Sequence, residues 1–478
     1  MKMVAHHAIR ISYLVSGGVL VLALIVILAV YLRQAERDFR ITPVSGASVD
    51  SEGKLPPAPE SQAIQTGSWP ALANANFFAQ VKADFVNQKK SFIEADLTAM
   101  TVTVYKDGEI VKQVPILTKG RPGSWWETPA GLYEIQLKKK THFSSFGHVY
   151  QPWSMAFQGN FFIHGWPYSA DGTPVASSFS GGCVRLSTED AKAVYDLTEV
   201  GMSVLVYEKS FDGDDFRYSE PPAGRLSTLS GLAARSYLAA DLRNNYVFLA
   251  QNATDEVPIA SITKLMTALI AAEYINLDAT STVMASSIVS TSVPRLKAGD
   301  RINPYQLLYP LLDESSNEAA FMLADYLGRE RFVSLMNQKA LALGMTHTRF
   351  ADPAGREDGN ISTAEDLFAL AKYLLNNRSF ILKITSDTVG YNAYGDSQFK
   401  DLQNFNVFTG QPSFVGGKVG MTTAAGQTIL SIFKEKLEGE ERPIVVIALG
   451  SRDNAADARA LLADVRLNYQ TDGLRAED

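Results

Sequence analysis

The sequence predicts a multidomain chain: an N-terminal transmembrane helix, then a mostly-β domain, then an α/β (α+β) domain. Three observations carry that prediction. Ile11 to Leu32 holds no charged residue and is dominated by Leu, Val, Ile and Ala. Met100 to Leu117 reads as two strands around the turn Lys106-Asp107-Gly108. Beyond Leu229, apolar residues recur at helical spacing and two long strands close the chain. A length of 478 residues is enough for two or three domains of ordinary size.

Residues 1–10 form a short tail. The 22 residues from Ile11 to Leu32 suffice to cross a hydrocarbon layer of roughly 30 Å at about 1.5 Å per residue. A cleaved signal peptide has a shorter apolar core followed by a small-x-small site, and none follows cleanly here. Lys2 and Arg10 on one side nearly balance Arg33, Arg37 and Arg40 on the other, so charge alone does not orient the segment. The mass of the chain on its far side favours export. Residues 33–75 are rich in Pro, Ser, Gly and Ala, as in Pro56-Pro57-Ala58-Pro59, and read as a flexible tether.

The mostly-β domain is expected over 76–210. Phe77 to Asp96 is amphipathic and reads as helix. Met100–Tyr105, Glu109–Leu117, Gly131–Leu137 and Met202–Tyr207 read as strands, and Thr188–Leu197 as a helix. Residues 211–230 carry Gly213, Pro221, Pro222 and Gly224 and read as a linker. In the last domain, 231–472, helices are expected at Ser261–Tyr274, Pro304–Leu312, Asn317–Leu327, Phe332–Leu343 and Ala364–Leu375. Strands follow at Gln427–Lys434 and Pro443–Gly450, then a helix over Ala456–Tyr469. Strands flanking a helical run suggest layered packing.

Composition narrows the function. The chain is 46% hydrophobic and 20% charged with net charge −7, which argues against a nucleic-acid binder. His6, His7, His142, His148, His164 and His347 do not cluster with metal-ligand spacing, so no metal and no cofactor is expected.

The chain has one cysteine, Cys183, in Ser180-Gly181-Gly182-Cys183-Val184-Arg185, 19 positions after His164. A lone thiol forms no internal disulfide, so it is a small core residue or a chemical tool. The two glycines favour the tool, because they allow a sharp turn that leaves N–H groups for a substrate oxygen. A thiol becomes a good nucleophile as thiolate. His164, on the apolar strand Asn160–Ile163, is the best-placed base; His142 and His148, on what reads as a surface loop, are rivals. Residues 93–208 resemble an L,D-transpeptidase catalytic domain through His164-Gly165, Ser180, Gly182-Cys183, Arg185 and Thr128-Pro129-Ala130-Gly131. The resemblance implies Cys183 as nucleophile and His164 as base, with the Gly165 carbonyl orienting the imidazole. It also implies Gly182 and Cys183 N–H groups as oxyanion donors and Arg185 as a carboxylate partner. Gly181 stands where that family usually has a second histidine, which bears on turnover more than on fold.

Ser261-Ile262-Thr263-Lys264 opens an apolar helix. Residues three apart share a helix face, so the Lys264 amine can reach the Ser261 hydroxyl, and a lysine with a lowered pKa acts as base. Ser51-Glu52-Gly53-Lys54 has the same spacing in the tether and carries no such company. Ser315-Ser316-Asn317 and Gly417-Lys418-Val419-Gly420 follow the Ser261 motif in order. That order resembles the penicillin-recognising serine acyltransferases. Pro258–Lys264, Leu296–Asp300, Arg349–Gly355 and Thr422–Gly426 narrow the resemblance, over 231–472, to serine-type D-Ala-D-Ala carboxypeptidases, the low-molecular-mass penicillin-binding proteins. The resemblance implies Ser261 as nucleophile, Lys264 as its base, and Ser315 and Asn317 as proton relay and amide holders. It further implies Lys418 as the partner of the substrate carboxylate, and the N–H groups of Ser261 and Met421, beside Gly420, as the oxyanion hole. Val419 replaces the usual threonine; Thr422 or Thr423 is the available substitute hydroxyl.

Trp125-Trp126, and Trp153, Trp166 and Tyr168 near His164, are candidates for lining a substrate groove. Lys138-Lys139-Lys140 reads as a solvated strand end, and Asp313-Glu314 as a charged loop. Together these readings describe a membrane-tethered peptidoglycan-remodelling enzyme with two acyl-transfer sites. Its expected partners are stem peptides, β-lactams as covalent inhibitors, and the lipid bilayer through residues 11–32. The alternative is a wall-binding scaffold with one or both sites inactive.

Overall fold

The computed structural model describes residues 77–145, 147–176, 180–219, 229, 231–388 and 397–469. The expected transmembrane segment 11–32 and tether 33–75 lie outside the described residues. Among the described residues, no helix is long and apolar enough to cross a membrane.

The first domain is built on two sheets. One has the strand order Glu109–Pro115, Thr101–Lys106, Phe92–Asp96, Ser203–Tyr207, Gly131–Glu134. The other has the order Leu137–Ser144, Val149–Gln158, Phe161–His164, Val184–Arg185. Ile93, Val102, Val104 and Val204 from the first sheet meet Met155, Phe157, Phe161, Ile163 and Val184 from the second in one core. The helix Thr188–Leu197 occupies the residues expected, its start fixed by Ser187 Oγ, which accepts from Asp190 N at 3.0 Å.

The single helix expected over Phe77–Asp96 is instead a helix, Phe77–Asn87, followed by the strand Phe92–Asp96. Lys89 takes φ +53° and ends the helical run. Phe92–Asp96 then pairs antiparallel with Thr101–Tyr105 and parallel with Ser203–Tyr207. Two ladders of hydrogen bonds outweigh the weak helical preference of five residues. His142, expected on a loop, lies in the strand Leu137–Ser144. Lys138, expected in solvent, donates to Tyr195 O at 2.6 Å and to Thr198 O, closing the C-terminal end of the Thr188–Leu197 helix.

The second domain has one antiparallel five-stranded sheet, in the order Val247–Gln251, Ser236–Asp241, Glu440–Ser451, Gly426–Leu437, Phe414–Thr422. Its first two strands come from the start of the domain and the rest from its end. One face packs on Asn454–Tyr469 through Ile444, Val446, Leu461 and Val465. Ile432, Val445 and Ile447 on the opposite face join the core formed by the helices between.

That second core does not stop at the domain boundary. Phe78, Phe85, Phe92 and Leu132 of the first domain, and Phe211 at the start of the expected linker, belong to the same buried cluster as Leu269, Phe368 and Leu374 of the second. The described part of the expected linker is docked. Tyr218 Oη donates to Asp241 at 2.7 Å, and Asp214 pairs with the buried Arg442 guanidinium.

Candidate active sites

A 3₁₀ turn over Ala260–Ile262 runs into the helix Thr263–Tyr274. This puts Ser261 at the rim of a cleft of about 430 Å³ with Lys264 buried beneath it. Lys264 Nζ lies 3.0 Å from Ser261 Oγ, 2.9 Å from Asn317 Oδ1 and 2.5 Å from the Ala354 carbonyl. Burial holds this amine well below its ordinary pKa; Lys418 and Arg356 push the same way, and Asp352 opposes them.

Each partner is placed by its own local structure. Asn317 opens the helix Asn317–Asp325, and its Nδ2 donates to Ser290 O at 2.8 Å, which turns Oδ1 towards the lysine. Ala354 lies on a loop wrapped around Asp352, whose carboxylate accepts from the N–H groups of Ala354, Gly355, Arg356 and Glu357. Gly355, at φ +76°, passes so close to Ala260 O that a Cβ would lie 2.0 Å from it.

Ala260 and Ser315 both take left-handed conformations, φ +49° and +59°. Such conformations cost roughly 1–2 kcal/mol for non-glycine residues and concentrate at functional sites. Ser315 Oγ is buried with no hydrogen-bond partner among the described residues, and Ser315 lines the cleft.

The strand Phe414–Thr422 forms the opposite wall. A Cβ on Gly420 would lie 2.6 Å from Ser261 N, so only glycine allows the strand this close. Gly420, Met421, Thr422 and Val419 line the cleft. Lys418 is buried beneath it and donates to Val419 O at 3.1 Å. Thr422 Oγ1 accepts from Ala425 N at 3.0 Å in the turn that follows, leaving its own proton to donate.

Asp313 and Glu314, read as a charged loop beside Ser315, lie in that loop, and both are buried. Arg295 pairs with Glu314 through Nε at 2.7 Å. Burial pushes Asp313 up and Lys418 down, and each opposes the other's shift. Arg356 also lines the cleft. Sequence reasoning missed it, because a lone arginine in a loop carries no spacing signal.

At the cysteine, Phe161–His164 runs parallel to Val184–Arg185 with His164 opposite Arg185. Side chains two apart share a strand face, which places Phe162, His164, Cys183 and Arg185 on one side of the sheet. His164 is 0% exposed and Cys183 6%. His164 Nδ1 lies 2.6 Å from the Gly165 carbonyl. A carbonyl only accepts, so Nδ1 carries the proton and Nε2 keeps its lone pair. That Nε2 is buried with no hydrogen-bond partner among the described residues.

The thiol donates to Asn160 O at 3.9 Å. Burial pushes Cys183 up to about 11 and His164 down to about 3, so both groups are neutral in the resting state. The Gly182 N–H donates to Ser180 Oγ at 3.1 Å. Arg185 lies 5.7 Å over the Trp166 ring, and Trp166 Nε1 donates to Val175 O at 3.0 Å. Gln151 and His142, the latter stacked 4.5 Å from Phe162, complete the surroundings. No motif marked Gln151 or Asn160.

Two consequences are measurable. Alkylation of Cys183 by iodoacetamide, followed by mass, should accelerate about tenfold per pH unit from 7 to 10, because a raised pKa keeps the thiol protonated until high pH. A plateau reached by pH 8 would mean a thiol already activated at rest. The neighbouring glycines should also differ sharply. At Gly182, φ is +101° and a Cβ would sit 2.2 Å from the Phe161 ring; at Gly181 a Cβ meets nothing within 4 Å. Gly182→Ala should therefore cost about 2–4 kcal/mol of stability by denaturant melting. Gly181→Ala should stay within about 0.5 kcal/mol of wild type.

Comparison with known proteins bears on both domains. Residues 224–450 match the D-alanyl-D-alanine carboxypeptidase family model, and residues 90–206 match the L,D-transpeptidase catalytic domain model. A D-alanyl-D-alanine endopeptidase of Haemophilus influenzae is 33% identical over 46% of this chain and 77% of its own length. A second one, of Pseudomonas aeruginosa, is 39% identical over 32% of this chain; the match spans about half of that relative, 51%. A crystal structure of a D-alanyl-D-alanine carboxypeptidase from Mycobacterium tuberculosis, 26% identical, covers 52% of this chain and 95% of its own, with a TM-score of 0.45. With the Ser261 cleft in the second domain and the Cys183 face in the first, the chain belongs to the D-alanyl-D-alanine carboxypeptidase family and carries an L,D-transpeptidase catalytic domain ahead of it.

Proposed function

We propose that this chain carries out two successive acyl transfers on peptidoglycan stem peptides. The observation that carries the reading is the contact set of Lys264. Asn317 Oδ1 and the Ala354 carbonyl only accept, so they take two N–H groups of a neutral amine and leave its lone pair to the Ser261 hydroxyl. The Ser261 proton passes to Lys264 Nζ as Oγ attacks the carbonyl of the penultimate D-Ala. The terminal D-Ala leaves with that proton, and water releases a tetrapeptide. The N–H groups of Ser261 and Met421 stabilise the oxyanion, Ser315 relays protons, and Lys418 with Thr422 receives the substrate carboxylate.

The tetrapeptide is then the donor for Cys183. The thiol turns from Asn160 O towards His164 Nε2, gives up its proton there and attacks the carbonyl of the third residue. D-Ala leaves with that proton; an acceptor amine then attacks the thioester, its proton passing through Nε2 to the released thiol. Arg185 positions a carboxylate, and N–H groups at Gly182 and Cys183 hold the oxyanion once substrate displaces the Ser180 hydroxyl. Residues 11–32 anchor the chain in the membrane with both domains on the extracytoplasmic side.

Two other readings rest on specific observations. The relatives named endopeptidases favour cleavage of cross-links by the Ser261 site; cross-linked dimers as substrate separate that activity from terminal trimming. The thiol directed at Asn160 O, with Gly181 beside it, favours a cysteine groove that only binds the wall. Intact-protein mass spectrometry with a penicillin and a carbapenem, on wild type, Cys183→Ser and Ser261→Ala, decides. The expected result is a penicillin adduct lost with Ser261 and a carbapenem adduct on Cys183 that persists in Ser261→Ala. Absence of any Cys183 adduct supports the binding groove, and absence of a Ser261 adduct ends the carboxypeptidase reading.

A further inference from the structure

We propose that the serine domain forms part of the cysteine site: Asn377 and Arg378, joined to Glu273, are positioning residues for Cys183 across the domain boundary. This rests on the reading of Cys183 as an acyl-accepting nucleophile. Both flanks of the cysteine loop end on the serine domain.

The first flank is the segment 127–130. Asn377 Nδ2 donates to Thr128 O at 2.9 Å, and its Oδ1 accepts from Ala130 N at 3.0 Å. Arg378 Nη1 donates to Glu127 O at 2.9 Å. Thr128 Oγ1 then donates to Gly182 O at 2.8 Å, directly before the nucleophile. Arg378 also lies 5.4 Å over the Phe161 ring, against which Gly182 packs.

The second flank is the turn between the strands Val149–Gln158 and Phe161–His164. Gln158 Nε2 donates to Glu273 Oε2 at 2.9 Å, and Asn160 N to Glu273 O at 3.2 Å. The Asn160 carbonyl is the acceptor of the Cys183 thiol. Glu273 Oε1 is held by Lys339 at 2.9 Å, Tyr373 at 3.0 Å and Arg378 at 3.3 Å. Glu273, Asn377 and Arg378 are all 0% exposed.

Arg378 thus ties the two flanks together, and Glu273 lies in the last turn of the helix that begins beside Ser261. A buried polar cluster with its members paired fixes one arrangement, since any shift strands a charge. Placement of the thiol relative to Nε2 and the incoming carbonyl is what such a clamp controls, and small misplacements carry large rate costs.

The test uses the full chain with Asn377→Ala and, as a milder change, Gln158→Ala. Acylation of Cys183 by a carbapenem, alkylation by iodoacetamide at pH 8, and D-Ala release at Ser261 are followed together. In acylation, the lactam C–N bond opens, a thioester C–S bond forms and the thiol proton goes to the lactam nitrogen. Expected is a fall in acylation of about tenfold or more, with alkylation severalfold faster as the loop loosens, and D-Ala release within about twofold of wild type. Acylation and alkylation both unchanged, in whichever of the two variants folds, would overturn the proposal. A wild type whose thiol is alkylated yet never acylated sinks the transpeptidase reading instead, and alkylation rates then decide the clamp alone.

Discussion

Lys264→Met should lower D-Ala release from a pentapeptide stem by about 10²–10⁴-fold, the usual worth of a positioned general base. Methionine fills a similar volume but has no lone pair of comparable basicity. The burial that holds Lys264 well below its ordinary pKa is therefore the feature under test. Lys264→Arg separates charge from basicity, because guanidinium stays protonated; it should be as inactive as the methionine variant. Release measured by amino-acid analysis under saturating substrate should show the loss in kcat, since the lysine acts on the reacting atoms. Activity within about tenfold of wild type in either variant would place the base elsewhere.

Cys183→Ala should abolish cross-link formation from tetrapeptide donors, by about 10³-fold or more, because no second thiol exists to substitute. The same variant should release D-Ala from pentapeptide at the wild-type rate. Its stability should change little, since Ala156 and Phe162 are the buried hydrophobic residues grouped with the sulfur among the described residues. Chromatography of the muropeptide products separates these outcomes. Cross-linking that survives in Cys183→Ala, but not in Ser261→Ala, would move the transferase activity to the serine.

The serine site was the more legible of the two. Ser261 and Lys264 lie one helical turn apart, so their meeting follows from spacing alone. Asn317 reaches the same amine from 53 positions away, which no local pattern encodes. Ala354 contributes a main-chain carbonyl and leaves no trace in residue type. At the other site, His164 and Cys183 were legible through the lone thiol and its glycines. The direction the thiol takes was not, because Asn160 accepts it through backbone. The burial of Asp313 and Glu314 was not legible, because buried carboxylates need partners that sequence does not reveal, here Arg295 for Glu314. Glu273 carried no signal as one acid in an apolar helix, yet it gathers Lys339, Tyr373, Arg378 and Gln158. The strand Phe92–Asp96 was hidden by the amphipathic helix before it.

The most direct measurement of the paired chemistry supplies pentapeptide-containing wall fragments to the purified full chain and to Ser261→Ala, then identifies the products by mass. The wild type should release both terminal D-alanines of the donor and yield cross-linked dimers. Ser261→Ala should yield dimers only when tetrapeptide is supplied in place of pentapeptide. Equal dimer yield from pentapeptide by the two proteins would contradict a chain in which one site makes what the other consumes.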